Sequence, residues 1–278
     1  MKKSVFKSEE KRDQMRNHYN AILSSFPFEQ KFIETSYGET FALAAGKESD
    51  VPIILLHGSN SNSAFWFPEL MALSSNYRVY AVDILGESGN SCEYRPNLNS
   101  DDFAHWMKEV QNALGIEKSI LIGNSLGGWM SLKFSTVFPD SVSKLILIAA
   151  AGLAPIHEQF LKNVDNSKLD DGTVEVSENI IGESDIPKEV LEFMNLIAQS
   201  YDPIQELPLF DDKQLLNLNM PILMLNGQDD VIINSKESID RLSRLIPSAK
   251  TLLISNCGHV ITNSLEYIFP FMNEQPNN

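Results

Sequence analysis

The stretch SILIGNSLGG, residues 119–128, decides how the rest of the chain is read. Its first half is a short apolar run, its second half a glycine-rich turn, and a helical pattern, WMSLKFSTVF, follows at 129–138. An apolar run without polar alternation is a strand buried on both faces, and such strands belong to a parallel sheet covered by helices. The turn GNSLGG at 123–128 therefore joins a buried strand to a helix. A residue at the apex of so tight a turn is held in a strained backbone conformation, and the residues two before and two after it must be small if strand and helix are to approach. Gly123 and Gly127 meet that demand around Ser125. The same turn sets Ser125 at a helix N-terminus, where free N–H groups and the helix dipole favour a developing negative charge.

Working outward, runs of the same kind recur at 51–57 (VPIILLH), 77–83 (YRVYAVD), 142–150 (VSKLILIAA) and 220–226 (MPILMLN), with KTLLISN at 250–256 near the end. Helical patterns fill most of the gaps, at 65–75, 100–114, 126–138 and 235–246. This alternation predicts the α/β class: an open, mostly parallel, twisted sheet with right-handed crossovers, covered by helices. Upstream, KFIETSY and TFALAAG, broken at Tyr37-Gly38-Glu39, predict a hairpin within 31–46. Residues 1–30 read as an N-terminal helix with a sparse apolar stripe of Met15, Ile22 and Phe26, laid over the body and ended by Pro27. The core then comprises 31–151 and 220–278. Residues 152–219 hold no strong strand run; they carry the Asp-rich VDNSKLDDG and one helix pattern, PKEVLEFMNLIAQSY, at 187–201. So long an insertion exceeds ordinary loop length and predicts a helical cap.

With 278 residues, of which 43% are hydrophobic, the chain can bury one large core with a smaller appendage. Its 22 Lys plus Arg against 37 Asp plus Glu leave a net charge of −15. That balance argues against a nucleic-acid partner and an anionic membrane surface, both of which need clustered cations. A small-molecule substrate is expected instead; nothing in the sequence sets an oligomeric state. Cys92 and Cys257 stand far apart and fit reduced thiols. The opening MKKSVFKSEEKRDQ lacks the apolar region of an export signal, and no apolar run nears the about 18 residues needed to cross a bilayer, so a cytoplasmic location is expected. No metal or cofactor is expected either. AAGKES at 44–49 lacks the upstream glycine of a phosphate loop, and VDNSKLDDGTVE lacks the spacing of a calcium loop.

An ordinary serine hydroxyl is a poor nucleophile and needs a base. The candidates are His18, His57, His105, His157 and His259. In sheets of this kind the order along the chain is Ser, acid, His, which leaves His157 and His259. His157 lies in the insertion, whereas His259, in NCGHV, follows the last strand and so reaches the sheet's carboxyl edge, the rim that carries Ser125. The base in turn needs a carboxylate to hold its tautomer. GQDDV, after the strand at 220–226, offers Asp229 and Asp230, and the chemistry alone does not choose between them. Two oxyanion donors complete the set: the backbone N–H of Leu126, beside the nucleophile, and that of Ser59, in the loop HGSNSNSAFW, where Gly58 permits close approach. His57 is read as an anchor of that loop. The pocket is expected to draw Phe65, Trp66 and Trp129 from the core, and Phe160, Phe193, Met194, Ile197 and Tyr201 from the insertion.

HGSN (57–60), GNSLGG (123–128), GQDD (227–230) and GH (258–259), in this order and on these elements, give a chain that resembles the α/β-hydrolase superfamily and is similar to bacterial carboxylesterases with a helical cap. The resemblance implies Asp230 as the acid, since the family most often places it three residues after the glycine of that turn. It also implies a serine hydrolase that cleaves small, largely apolar carboxylic esters through an acyl-enzyme. Two departures stand out. Ser88 in DILGESGNS (83–91) replaces the second glycine of the usual pattern, and Pro270 interrupts the final helix. Two other activities fit the same scaffold: a C–C bond hydrolase, whose Gly-Pro-Gly element after the His-Gly is absent here, and a non-catalytic ligand-binding module.

Overall fold

The alternating pattern resolves into one sheet in the computed structural model, which describes residues 4–158, 160, 186–204 and 206–274. The strands are β1 (Glu29–Ile33), β2 (Thr40–Ala45), β3 (Pro52–Leu56), β4 (Arg78–Val82), β5 (Ser119–Asn124), β6 (Val142–Ile148), β7 (Ile222–Gly227) and β8 (Lys250–Ile254). Their spatial order is β1-β2-β4-β3-β5-β6-β7-β8. β1 and β2 form the expected antiparallel hairpin, with Ile33 opposite Thr40. β2 is antiparallel to β4, and from β4 to β8 every neighbouring pair is parallel. The chain therefore steps from β3 out to β4 and then back across β3 to β5. That reversal opens a crevice at the carboxyl ends of β3 and β5, where an open α/β sheet binds its ligands.

The helices are α1 (Glu9–Ser24), α2 (Phe67–Leu73), α3 (Asp102–Ala113), α4 (Leu126–Val137), α5 (Lys188–Ser200), α6 (Asp212–Leu215), α7 (Ser235–Leu245) and α8 (Leu265–Asn273). Alternate strand residues feed two separate cores, one on each face of the sheet. Ile54, Leu56, Leu121 and Leu147 join α3, α4 and α7 in one cluster, while Ile53, Leu55, Ile122 and Ile146 join α1, α2, α5 and α8 in the other. This is why the runs show no polar alternation: both faces are dry. Arg78, 1% exposed, pins the hairpin to β4 through paired bonds of 2.7 and 2.9 Å to the Glu29 carboxylate.

Two expectations about elements need correction. The stripe that α1 buries is Met15, Tyr19 and Leu23, whereas Ile22 is half-buried and Phe26 exposed, its ring lying against Phe28 and Phe67. Tyr19 is buried because its hydroxyl has partners, 2.6 Å from Ser63 Oγ and 3.1 Å from Asp83 Oδ1. β8 is not buried on both faces. It is the sheet's outer strand, with Leu252 39% and Leu253 43% exposed. α8 runs through Pro270 for nine residues. Residues 161–185, which include VDNSKLDDG, lie outside the described residues. Of the expected cap, the described parts are its first residues, 152–158 and 160, and its last, 186–204 and 206–219, which carry α5 and α6.

Candidate active site

Ser125 occupies the corner between β5 and α4 at φ 51° and ψ −109°, a left-handed conformation that a residue with a Cβ holds only when its surroundings impose it. Its N–H donates to the Ile148 carbonyl at 2.9 Å, and its own carbonyl accepts from the N–H groups of Trp129 and Ala151 at 3.0 and 3.3 Å. The flanking glycines have no room to be anything else. A Cβ on Gly123 would lie 2.2 Å from the Gly127 carbonyl oxygen, and one on Gly127 would lie 2.0 Å from that of Leu56.

Three side chains meet in a line of hydrogen bonds. His259 Nε2 lies 3.1 Å from Ser125 Oγ, and His259 Nδ1 lies 2.8 Å from Asp230 Oδ2. The second Asp230 oxygen accepts from the N–H groups of Ile232 and Ile233 at 2.8 and 2.9 Å, so the carboxylate is held from both sides. Asp229 is exposed, and its N–H binds the Cys257 carbonyl. A carboxylate accepts only; facing Asp230, Nδ1 carries the proton and Nε2 is left free to accept one from Ser125.

The loop after β3 passes directly over the serine: a Cβ on Gly58 would be 3.5 Å from Ser125 Cβ. His57, 1% exposed, uses both ring nitrogens on backbone. Its Nε2 faces the Ile84 N–H at 3.0 Å, and an N–H only donates, so Nδ1 carries the proton and donates to the Gly58 carbonyl at 2.8 Å. Burial pushes this imidazole below its ordinary basicity. It anchors the loop and does not touch the serine line. Leu126 opens α4, where the first N–H groups have no partner within the helix. Ser88, the departure from the family pattern, donates from its hydroxyl to the Ser61 carbonyl at 3.0 Å and ties the loop after β4 to the loop after β3.

The aromatic and apolar candidates separate into groups. Phe65 stacks on Phe193 with ring centroids 5.7 Å apart, and Phe193, Ile197 and Trp66 are buried in the cluster beneath α1 and α5. Met194 and Phe160 are half-buried. Trp129 is 1% exposed and packed in the opposite core against Phe103 and Phe210, its indole N–H donating to the Pro208 carbonyl at 2.7 Å. Tyr201, grouped above with the apolar candidates, has its hydroxyl bound to Glu87 Oε2 at 2.5 Å and to Ser59 Oγ at 3.0 Å. Glu87 was overlooked in the sequence. The signal available was a carboxylate in the stretch GESGNS (86–91), otherwise small and polar, just past a strand's carboxyl end.

Comparison with known proteins gives a consistent result. The family model of the alpha/beta hydrolase fold matches residues 51–180. A protein of Bacillus subtilis (strain 168), named as the uncharacterized carboxylesterase nap, is 32% identical over 256 residues, covering 88% of this chain and 85% of that protein. The crystal structure of carboxylesterase CesB (YbfK) from Bacillus subtilis superposes with a TM-score of 0.85 at 26% identity, over 95% of this chain and 99% of that one. That of naproxen esterase (carboxylesterase NP), from the same organism, gives 0.82 at 29% identity over 96% and 99%.

Proposed function

The chain belongs to the α/β-hydrolase fold family, and on that premise we propose that it is a serine carboxylesterase acting on small, largely apolar esters. The observation that carries this reading is the unbroken line from Ser125 Oγ through His259 to Asp230, at 3.1 and 2.8 Å. Ser125 Oγ attacks the ester carbonyl while His259 Nε2 takes its proton. Asp230 holds the ring in the tautomer that allows this and stabilises the imidazolium that forms. The N–H groups of Leu126 and Ser59 receive the negative charge that develops on the carbonyl oxygen. His259 then returns the proton to the departing alcohol, leaving an acyl group on Ser125, and water repeats the sequence to release the acid. The strained corner at Ser125 supports this role, since it lifts the hydroxyl out of the sheet edge at the N-terminus of α4. The stacked pair of Phe65, from the loop after β3, and Phe193, from α5 of the insertion, with Met194 as the next residue along α5, fits an uncharged acyl chain. Named relatives that are esterases support the same bond type.

The test is turnover of p-nitrophenyl acetate and butyrate by the wild type and by Ser125→Ala. The substitution is expected to abolish measurable turnover and labelling by a fluorophosphonate; equal rates in the two proteins would end the reading.

A further inference from the structure

Glu87 is 1% exposed in the loop after β4 and takes no part in the chemistry above. Its Oε2 accepts the Tyr201 hydroxyl at 2.5 Å and its Oε1 lies 3.3 Å from Arg95 Nη2. Burial pushes this carboxyl up to about 7, with Arg95 and Tyr201 pulling in the opposite direction. A buried carboxyl so weakly compensated is costly to keep and marks a position where its hydrogen bond matters.

The directions of the bonds around Tyr201 follow from what each group is able to do. The phenol has one proton, and once Glu87 is ionised, above about 7, that carboxylate is its strongest acceptor, so the proton points to Glu87. With that proton committed, the phenol oxygen accepts from the Ser59 hydroxyl, 3.0 Å away. The next residue, Asn60, sits at φ 54°, which turns the chain back on itself, a conformation asparagine tolerates better than most residues. On the other side of Ser59, the Gly58 carbonyl is held by His57 Nδ1 and by Ser61 Oγ, each at 2.8 Å. That carbonyl belongs to the same peptide plane as the Ser59 N–H. The plane is therefore clamped from one side by His57 and Ser61, and the residue's other side is clamped by Tyr201.

We propose that Glu87 and Tyr201 are positioning residues for the oxyanion site, gripping the Ser59 hydroxyl so that the Ser59 N–H stays aimed at the developing charge. The proposal rests on the esterase reading above. Because Tyr201 closes the helical segment α5, it also makes the aim of that donor depend on how the insertion is seated.

The experiment measures kcat and KM with p-nitrophenyl butyrate for the wild type, Ser125→Ala, Tyr201→Phe, Glu87→Ala, Glu87→Gln and the double variant Glu87→Ala/Tyr201→Phe, with thermal melts of each. A donor that drifts out of line weakens the transition state and leaves the bound ester untouched. Tyr201→Phe and Glu87→Ala are thus expected to lower kcat by about 10-fold or more with KM within about threefold. Glu87→Gln, whose amide oxygen still accepts the phenol proton, recovers most of that loss. The double variant is no slower than the slower single variant, because both cut one chain. A Tyr201→Phe enzyme with wild-type kcat, or with the whole effect in KM, overturns the proposal even if Glu87→Ala fails to fold. Wild-type turnover no greater than that of Ser125→Ala removes the esterase reading and this proposal with it, an outcome distinct from an active enzyme indifferent to Tyr201.

Discussion

At the scale of single residues, the adjacent pair Asp229 and Asp230 shows what geometry adds to chemistry. The two side chains are identical, yet only Asp230 has one oxygen on the His259 ring and the other on two backbone N–H groups. Asparagine at 230 keeps the shape but presents a donor or a weakened acceptor to Nδ1, which favours the wrong tautomer. Asp230→Asn is expected to lose on the order of 10⁴ in kcat and Asp229→Asn little, measured by steady-state ester hydrolysis. The reverse order would move the acid. Gly127 gives a second test. Its Cβ would collide at 2.0 Å with backbone, which has no rotamer by which to yield, so Gly127→Ala is expected to destabilise the fold by more than about 3 kcal/mol in urea unfolding. Ser125 and His259 were legible in the sequence because each announces itself locally, one by flanking glycines and one by following the last strand. The pairing of Tyr201, read there as a pocket residue, with Glu87 was not, since their bond spans 114 positions and leaves no local trace in either neighbourhood.

At the scale of elements, most boundaries fell close to the apolar runs, because a strand dry on both faces carries an apolar run without polar alternation. β8 misled for a reason internal to the sheet. Its KTLLI is as apolar as the buried runs, but only position in the sheet distinguishes an outer strand from an inner one. α1 misled through Tyr19, which a reading of hydrophobic spacing passes over and which the structure buries completely on account of its hydroxyl. That hydroxyl faces Asp83, whose carboxylate also accepts from the Ser63 and Asn90 N–H groups, so α1 is fastened to the two loops that flank the serine. Tyr19→Phe removes a hydrogen bond to a buried carboxylate, and a loss of about 1.5–3 kcal/mol is expected from urea titration with an unchanged m-value. A loss below a few tenths would mean that α1 is held by Met15 and Leu23 alone.

At the scale of the whole molecule, two carboxyls with displaced titrations shape how stability follows pH. The Arg78 guanidinium holds Glu29 down at about 2, so its contribution is complete above the ordinary 4.5 and is lost as pH falls through 2. Glu87 works in the opposite sense. Its folded form keeps the proton up to about 7, so stability declines as pH rises from 4.5 through 7 and is level beyond. A displacement of that size corresponds to at most about 3 kcal/mol. Urea midpoints at pH 5 and pH 8 are expected to differ in the wild type and to draw together in Glu87→Gln; an identical drop in both proteins would place the decline elsewhere. No helix of the described residues is long and apolar enough to cross a membrane.

The two ends of the segment between β6 and β7 are each stitched to a different part of the site. Ile156 bridges Ile233, and the His157 N–H binds the Ile232 carbonyl, beside the N–H groups that hold Asp230. Phe6 bridges Tyr201, the partner of Ser59. For anyone grafting a relative's specificity onto this scaffold, the sutures dictate where to cut. Splices placed inside both leave Asp230 and the Ser59 loop, the proposed acid and oxyanion donor, on native footings while exchanging what lies above them. A splice that carries Tyr201 away would hand over a new selectivity together with a loosened hydrolytic engine, and the two effects would be mistaken for one.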